Sequence, residues 1–261
     1  MQQDLSLIDT HCHLDAPEFD AGRDHVVADA RRQGVTRIVV PAIAAGNFAA
    51  TLAMRDAFGC LIAFGLHPMY CRQHLDDHLA LLEQAIIAHR PVAVGEIGLD
   101  GWEADRDLHR QEALFIEQLK LAKKHGLPVL LHVRKAQDRV LRALRQVRVV
   151  GGIAHAFNGS EQQAQAFIAL GFKLGFGGAM TYQGSQRIRR LAATLPLDTL
   201  VLETDAPDIR PAWAQDIPNT PANLRRFAEE LALLRNESVA AIAAATTYNA
   251  GRVLGFAGSE Q

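Results

Sequence analysis

The sequence predicts an α/β protein, and within that class a (β/α)8 barrel of the TIM type. Eight short apolar runs rich in β-branched residues recur along the 261 residues, and longer amphipathic segments separate them. Successive runs start roughly 20–35 residues apart, which leaves room for a crossover helix and favours parallel strands. Eight such units in a chain of this length match the size of a barrel.

Several of the predicted strands are apolar over nearly their whole length, which is typical of strands buried on both faces. In chain order they cover residues 5–10, 37–41, 61–66, 91–98, 128–133, 152–157, 172–176 and 199–204. A doubly wound open sheet is the main alternative to the barrel. No GxGxxG motif follows a strand, however, so a Rossmann-type sheet has no support.

Helices are predicted between the strands from apolar residues that recur on one face. One such series precedes the helix-stopping residues Gly126 and Pro128, and it consists of Phe115, Ile116, Leu119 and Ala122. A second precedes Gly171, and it consists of Ala164, Phe167, Ile168 and Leu170. The Ala-rich segment 238–245 is interpreted as part of a last helix. No linker interrupts the pattern, so one domain over residues 1–261 is predicted.

Composition and charge exclude several classes of protein. With 49% hydrophobic and 21% charged residues, the chain is neither disordered nor fibrous. The formal net charge of −2 gives no argument for tight non-specific nucleic-acid binding, so a nucleic-acid substrate would need local positive charge or bound metal. No apolar run is long enough to span a membrane. We expect no obligate protein partner and a monomer, because no association motif is visible.

The three cysteines, Cys12, Cys60 and Cys71, are odd in number and form no CxxC motif. A disulfide framework is therefore not expected, and a reducing compartment is favoured. The N-terminal segment has neither the basic nor the apolar region of a signal peptide. We expect a cytoplasmic protein.

The eleven histidines separate into two groups. Six lie among polar residues in helical or connecting segments and are expected at the surface, namely His25, His74, His78, His89, His109 and His125. Five lie in or just beyond predicted strands, namely His11, His13, His67, His132 and His155. In a parallel barrel the carboxyl ends of the strands converge on one face, where catalytic residues gather.

His11 and His13 flank Cys12 on the first strand. Because side chains alternate along a strand, the two imidazoles point one way and the thiol points the other. Two imidazoles on one face can chelate a metal, although a hydrogen-bonded pair of core histidines would look the same. Cys12 is expected in the packing between barrel and helices.

Glu96 stands inside the apolar fourth strand, and a buried carboxylate is costly unless it is paired or metal-bound. His132, His155 and Asp205 end the fifth, sixth and eighth strands. Glu203, two residues before Asp205, can face the same side. Together these residues provide enough ligands for two divalent cations sharing a carboxylate. Mixed nitrogen and oxygen ligands suit Zn, Mn or Fe, and a carboxylate-rich half can take Mg.

At these residues the sequence resembles the TatD family of metal-dependent hydrolases, which belongs to the amidohydrolase-like TIM barrels. The matching stretches are IDTHCH at 8–13, GLHP at 65–68, VGEIGLD at 94–100, LPVLLHVR at 127–134, HAFNGS at 155–160 and LETDAP at 202–207. Asn219 and Pro221 resemble the family's following Asn-x-Pro. The glycines at 177–178 and Ala-Pro-Asp at 206–208 most resemble the YjjV branch.

The resemblance implies a role for each matching residue. His11, His13 and Asp205 would hold one cation, His132 and His155 the second, and Glu96 would bridge them. The implied activity is hydrolysis of phosphoester bonds, typically deoxyribonuclease action on DNA ends. Two cations lower the pKa of a shared water and neutralise phosphoryl oxygens. Asp205 can orient that water and take its proton.

Four further residues are candidates for substrate binding, and each has a plainer interpretation. His67 can donate to a phosphate oxygen or can be a structural residue in a His-Pro turn. Arg134 has a planar fork that suits phosphate, or it can pair with Asp100 or Glu203. Asn158 can reach substrate or cap the helix that starts near Ser160. Glu203 is expected to support a ligand histidine or to contact substrate, in preference to direct ligation.

Two departures from the family pattern leave the substrate open. Asp208 and the Gly101–Trp102 pair stand where many members carry aromatic residues, which can stack bases. DNA and a smaller phosphoester are therefore both candidates. The alternatives are an amidohydrolase-like enzyme acting on an amide, lactone or exocyclic amine, and a non-catalytic metal-binding scaffold. Arg134 and His67 favour phosphate, because a neutral substrate does not need them.

Overall fold

Eight parallel strands stand side by side in chain order in the computed structural model, which describes residues 5–102 and 107–256. The strands are β1 Leu7–Asp9, β2 Val35–Pro41, β3 Leu61–Phe64, β4 Ala93–Asp100, β5 Val129–Arg134, β6 Gly152–Ala154, β7 Phe172–Phe176 and β8 Leu200–Leu202. The helices are α1 Arg23–Arg32, α2 Phe48–Phe58, α3 His78–His89, α4 Leu108–His125, α5 Gln137–Gln146, α6 Glu161–Ala169, α7 Gln186–Thr194, α8 Leu224–Arg235 and α9 Val239–Val253. The predicted domain over 1–261 includes residues 1–4, 103–106 and 257–261, which lie outside the described ranges.

The strand order confirms the predicted barrel and shows that the open-sheet alternative is wrong. Each strand pairs in parallel with the next, from β1 to β8. Backbone hydrogen bonds then join the last strand to the first, because the Thr10 N–H donates to the Leu202 carbonyl at 3.1 Å and the Asp205 N–H to the His11 carbonyl at 2.8 Å. We call this junction of β1 and β8 the seam.

The interior of the barrel is filled at the amino ends of its strands. A cluster of small and branched side chains from seven strands occupies this layer, and it comprises Ile8, Val39, Ala63, Ala93, Leu130, Ile153 and Val201. Ala250 of α9 and Leu254 just beyond it pack beneath that cluster. The apolar filling stops below the carboxyl ends, so polar side chains can occupy the opposite end of the barrel.

The helices cover the outside of the barrel as the apolar periodicity predicts. In α4 the predicted face is buried at Phe115, Leu119 and Ala122, and the helix ends at Gly126, whose φ of 65° lies in the left-handed region. The segment 238–245 lies in α9, which Ser238 caps through its hydroxyl. Within the described ranges, no helix combines the length and apolar character that crossing a membrane requires.

Four strands are shorter than the sequence predicts. β3 ends at Phe64, two residues before the end of its predicted run 61–66, and the other three are shortened by half. β1, β6 and β8 have three residues each, whereas the predicted runs 5–10, 152–157 and 199–204 have six. In each case the chain leaves the ladder just before a polar residue of the site: His11, His155 or Asp205. These residues therefore stand on the short connections above the strands.

Candidate metal centre

Glu96 lies at the centre of the carboxyl-terminal face, and five imidazoles surround its carboxylate. Its Oε2 atom is 3.0 Å from His11 Nε2 and 3.5 Å from His13 Nε2. Its Oε1 atom faces three nitrogens on the other side, at 2.9 Å for His155 Nε2, 3.0 Å for His132 Nδ1 and 3.1 Å for His67 Nε2. The two carboxylate oxygens therefore face two different sets of nitrogen atoms.

Asp205 completes the Oε2 side of this arrangement. Its Oδ1 atom is 3.6 Å from Nε2 of both His11 and His13. Three triads that can each hold a metal ion follow from these positions, and they are His11–His13–Asp205, His11–Glu96–His155 and His67–Glu96–His132. The structure thus brings together all six residues that the family resemblance implies as ligands, and it adds His67.

The donor set fits divalent cations. An ionised carboxylate offers about four lone-pair sites, fewer than the five ring nitrogens around Glu96. Hydrogen bonding to Glu96 alone therefore leaves ring nitrogens in surplus, whereas cations on either side of the carboxylate would take up those of His11, His13, His132 and His155. Imidazole with carboxylate oxygen suits Zn, Mn or Fe.

The pKa shifts of the clustered residues also indicate a cation site. Burial, together with His155, lowers the pKa of His11 to about 3, and burial lowers the pKa of His67 to about 4. Burial alone would also lower the pKa of His155, but Glu96 and Asp205 outweigh it and raise that pKa to about 10. Burial alone would raise the pKa of Glu96, yet the imidazoles hold it well below its usual range. Cation binding here therefore competes with protons.

Asp100 fixes the orientation of His132. Its Oδ2 atom accepts a hydrogen bond from His132 Nε2 at 2.9 Å, which leaves the lone pair of Nδ1 directed at Glu96. Its Oδ1 atom accepts from the Trp102 N–H at 2.7 Å. Arg134 Nη1 lies 3.9 Å from Asp100 Oδ2, and its guanidinium lies over the Trp102 ring. Of the two interpretations of Arg134, the structure thus shows the contact with Asp100 while placing the side chain on the cavity wall.

Glu203 lies behind His155, away from the cavity. Its Oε1 atom accepts from the Ala156 N–H at 2.5 Å and is 3.8 Å from His155 Nδ1. Burial raises the pKa of this carboxyl to about 8. Gly175 in β7 makes room for it, because a Cβ at that position would stand 2.0 Å from Glu203 Oε2. This geometry agrees with support of a ligand histidine and not with substrate contact.

His67 is held in one tautomer by its own turn. Its Nδ1 atom accepts from the Met69 N–H at 3.2 Å, so a neutral ring carries its proton on Nε2. His74 Nε2 donates to the His67 carbonyl at 3.0 Å, and His74 is only 2% exposed. The expectation that His74 is a surface residue is therefore wrong, because a backbone carbonyl satisfies the ring in the interior.

Asn158 does not cap the neighbouring helix. Ser160 caps α6 through its hydroxyl, which accepts from the Gln163 N–H. The Asn158 side chain is exposed, and its Oδ1 atom accepts from Arg187 Nε and Nη2 at 3.1 and 2.5 Å. The interpretation of Asn158 as a cap is therefore wrong. The residue lies on the cavity wall, where substrate can reach it.

Three buried polar residues that the motifs did not single out hold the site in place. Asp9 accepts from the N–H of His11 and from both the N–H and hydroxyl of Thr204, so it ties the two sides of the seam. From α4, Gln118 exchanges two hydrogen bonds with the backbone of Leu66, and Gln111 accepts from the Asp100 N–H. Both glutamines lie on the apolar face of α4, and that position is a signal that could have revealed them.

The cluster opens into a cavity of about 1350 Å³ at the carboxyl ends of the strands. Eight of the predicted site residues line it, and they are His13, His67, Glu96, His132, Arg134, His155, Asn158 and Asp205. Asn158 and Trp102 stand on the same wall. A substrate entering this cavity therefore reaches the carboxylates and imidazoles directly.

Comparison with known proteins extends the resemblance seen in the motifs to nearly the whole chain. Residues 8–255 match the sequence profile of a family described as TatD related DNase. The metal-dependent hydrolase YjjV of Escherichia coli (strain K12) is 43% identical over 247 residues, covering 93% of this chain and 95% of YjjV. The crystal structure of E. coli YjjV, a TatD homologue, matches with a TM-score of 0.92 at 41% identity, covering 96% of this chain and 98% of that one. The 3'-5' ssDNA/RNA exonuclease TatD of Pantoea sp. (strain At-9b) is 31% identical over 261 residues, covering 96% of this chain and 100% of that protein.

Proposed function

The chain belongs to the TatD family of metal-dependent hydrolases, and on that premise we propose that it cleaves phosphoester bonds at the ends of DNA with two divalent cations. One observation carries the proposal: the two oxygens of Glu96 face two separate sets of imidazole nitrogens. A carboxylate placed in this way can bridge two cations. His11, His13 and Asp205 would hold one of them, and His132 and His155 the other.

The cations, when bound, supply a hydroxide near neutral pH and neutralise the phosphoryl oxygens. The remaining work falls to the side chains. Asp205 lines the cavity and takes the proton of the attacking water on its carboxylate. Burial raises the pKa of this carboxyl, which makes it a better proton acceptor. Asp100 orients His132 through a hydrogen bond, and Glu203 stands behind His155 with its Oε1 atom 3.8 Å from Nδ1.

Phosphate is the substrate class that the cavity wall favours. Arg134 offers a planar guanidinium, and the protonated Nε2 of His67, which lies 3.1 Å from Glu96 Oε1, would donate to a phosphoryl oxygen once a cation engages that carboxylate. Asn158 adds an amide on the same wall. A neutral amide or lactone does not require these donors. The name 3'-5' ssDNA/RNA exonuclease, carried by a relative at 31% identity, agrees with a nucleic-acid substrate.

The test uses metal-stripped protein refilled with Mg, Mn or Zn. Nucleotide release from single-stranded and duplex DNA is measured beside hydrolysis of bis(p-nitrophenyl) phosphate and of a p-nitrophenyl carboxyl ester. We expect metal-dependent release from DNA that Asp205→Asn abolishes. Asp208→Asn, which removes a carboxylate from the cavity rim outside the cluster, is the matched control and retains activity.

The outcomes separate the candidate functions. Turnover of the small phosphodiester without release from DNA keeps the chemistry and moves the substrate to a smaller phosphoester. Turnover of the carboxyl ester alone contradicts the proposal and favours the amidohydrolase-like alternative. Two bound cations with no turnover of any of these substrates would leave a metal-binding scaffold.

We also propose that the protein works as a monomer in the cytoplasm. All three cysteines are buried and free, as suits a reducing compartment. Light scattering of the metal-loaded protein after gel filtration gives the mass directly. A mass of twice 28.5 kDa would contradict the monomer.

A further inference from the structure

The charge of this chain is strongly segregated. Residues 134–190 contain ten Lys and Arg against two Asp and Glu, a formal charge of +8. The other 204 residues contain 17 against 27, a formal charge of −10. The overall charge of −2 therefore conceals two regions of opposite sign.

The positive region is contiguous in space as well as in sequence. Residues 134–190 run from the end of β5 through α5, β6, α6 and β7 to α7, and these strands are neighbours in the barrel. We call this part of the barrel wall the basic sector. A field of one sign over such a sector attracts polyanions and raises their rate of encounter.

Many of its cations have no acid to neutralise them. Arg139 pairs with Glu112 and Arg189 with Glu230, both acids lying outside the sector. Among the residues that the structure describes, six further cations of the sector form no ion pair: Lys135, Arg142, Arg145, Arg148, Arg187 and Arg190. All six are exposed, so their charge is available to a ligand.

The basic sector reaches the mouth of the cavity on one side only. Lys135 and Arg187 line the mouth there, and Trp102 stands beside Lys135, whose Nζ lies 3.7 Å from the centre of the indole ring. Trp102 is 52% exposed, and an exposed ring can stack a base. The acids of the rim come from other segments, since Asp15 and Glu18 follow β1 and Asp208 follows β8. A bound polyanion is therefore directed toward the basic side.

The basic sector continues beyond the cavity. Arg142 and Arg145 do not line the cavity and lie further along α5, and Arg145 is about 12 Å along the helix axis from Gln137 at its start. A substrate with a single phosphate can contact only the cations at the mouth of the cavity. A strand with many phosphates also meets the charges on the wall.

We propose that the basic sector is the surface on which a single strand of nucleic acid lies while its end occupies the metal centre. This proposal rests on the proposed function and adds to it the surface that holds the polymer beyond the cavity. Exposed arginines contact the strand's phosphates, and Trp102 stacks a base at the mouth. Binding depends on salt, because each phosphate contact releases counterions.

The test reverses two arginines that lie far from the reacting groups. Arg142→Glu/Arg145→Glu is compared with the matched double variant Arg32→Glu/Arg252→Glu, which reverses two exposed arginines on α1 and α9. Both doubles change the net charge equally. The probe is a fluorescein-labelled 12-mer phosphorothioate oligonucleotide, which binds the metal-loaded protein and resists hydrolysis, with affinity followed by fluorescence anisotropy from 50 to 300 mM salt.

We expect Kd at 50 mM salt to rise at least tenfold in the sector double and less than twofold in the matched double. The slope of log Kd against log salt falls by about 1.4 in the sector double, since each lost contact with a single strand removes about 0.7. Hydrolysis of bis(p-nitrophenyl) phosphate stays within twofold of the wild type in both. Equal losses of affinity in the two doubles, or none in either, would overturn the proposal.

Two further results separate this inference from the proposed function. Wild-type protein that hydrolyses the small phosphodiester but does not bind the oligonucleotide overturns the inference and leaves the function intact. Protein that binds through the sector but hydrolyses neither substrate supports the surface and contradicts the function. Binding to phosphatidylserine vesicles through Arg142 and Arg145, with no binding of the oligonucleotide, assigns the sector to a membrane and overturns the inference.

Discussion

Replacing Asp100 with Asn tests how His132 is held. Asp100 uses both carboxylate oxygens: Oδ1 accepts from the Trp102 N–H at 2.7 Å and Oδ2 from His132 Nε2 at 2.9 Å. An asparagine has one oxygen and one amide NH2 group. If the oxygen keeps the bond to Trp102, the NH2 group faces His132 Nε2, which must then accept. The ring proton moves to Nδ1, and the lone pair directed at Glu96 is lost.

The alternative orientation of the asparagine does not rescue the site. If its oxygen faces His132, its NH2 group meets the Trp102 N–H, and two donors oppose each other. Loss of a residue that orients a metal ligand typically costs 10–100-fold in metal affinity. That range corresponds to about 1.4–2.8 kcal/mol. We expect this loss for the cation on the Oε1 side of Glu96.

The assay is competition with a chromophoric zinc chelator, together with metal content after desalting. Asp100→Asn should retain one cation at wild-type affinity and lose the other. The matched control is Asp107→Asn, which removes the same charge close by and preserves the cap of α4, since asparagine caps a helix as well as aspartate does. If Asp100→Asn binds two cations as tightly as this control, the tautomer argument is refuted.

Three further predictions concern packing and reactivity. Gly175→Ala places a Cβ 2.0 Å from Glu203 Oε2, so it should displace that carboxylate, lower stability by about 1–3 kcal/mol in a urea titration and reduce phosphodiester turnover. Gln118→Leu leaves both backbone groups of Leu66 without their partner, and we expect a loss of about 2–4 kcal/mol in the same titration. Burial raises the pKa of the Cys60 thiol from 9.0 to about 12, so at pH 9 it should react with iodoacetamide about 500-fold more slowly than in urea.

Matched control variants distinguish these specific effects from a general loss of stability. Gly184→Ala adds a methyl group that meets nothing within 4 Å, and its stability should equal that of the wild type. Gln84→Leu changes an exposed glutamine on α3 and should shift the urea midpoint little. Peptide mapping assigns the alkylated thiol. Fast labelling of Cys60 in folded protein at pH 9 would show that its burial is not maintained in solution.

The raised pKa of Cys60 also predicts the direction in which the free energy of unfolding changes with pH. The folded protein retains the thiol proton to higher pH than the unfolded chain does, so folding binds protons between pH 9 and 12. The contribution of Cys60 to stability is complete below pH 9 and is lost as pH rises toward 12. Cys60→Ala should therefore decline less steeply over that interval.

The sequence predicted the barrel because its signals are local and repeated. Eight apolar runs at regular spacing leave few topologies, and chain order then determines strand order. Glu96 was also predictable on its own, since a carboxylate in an apolar strand requires a partner. The strand ends were less predictable. At His11, His155 and Asp205 the chain departs from the ladder to reach the centre, and apolar periodicity carries no sign of that departure.

The supporting residues were missed for a different reason. Asp9 finds Thr204 across the seam, 195 residues away, and no local pattern reveals such a partner. Gln118 carried a usable signal, because a polar residue on the apolar face of α4 needs a hydrogen-bond partner inside the protein. His74 was misjudged because its polar neighbours in sequence gave no hint of the carbonyl of His67. The near-neutral net charge of the whole chain gave no indication of the basic sector.

The seam between β1 and β8 determines when, during synthesis and folding, the candidate ligands come together. The Oε1 side of Glu96 is built from residues on or just after β3, β4, β5 and β6, successive strands that can assemble early. The Oε2 side joins His11 to Asp205, residues that follow the first and the last strand, and contacts between such distant parts of the chain form late in folding. A nascent chain on the ribosome, or a proteolytic fragment that ends before Asp205, therefore lacks one member of the His11–His13–Asp205 triad. The complete set of candidate ligands therefore exists only once the whole barrel has closed.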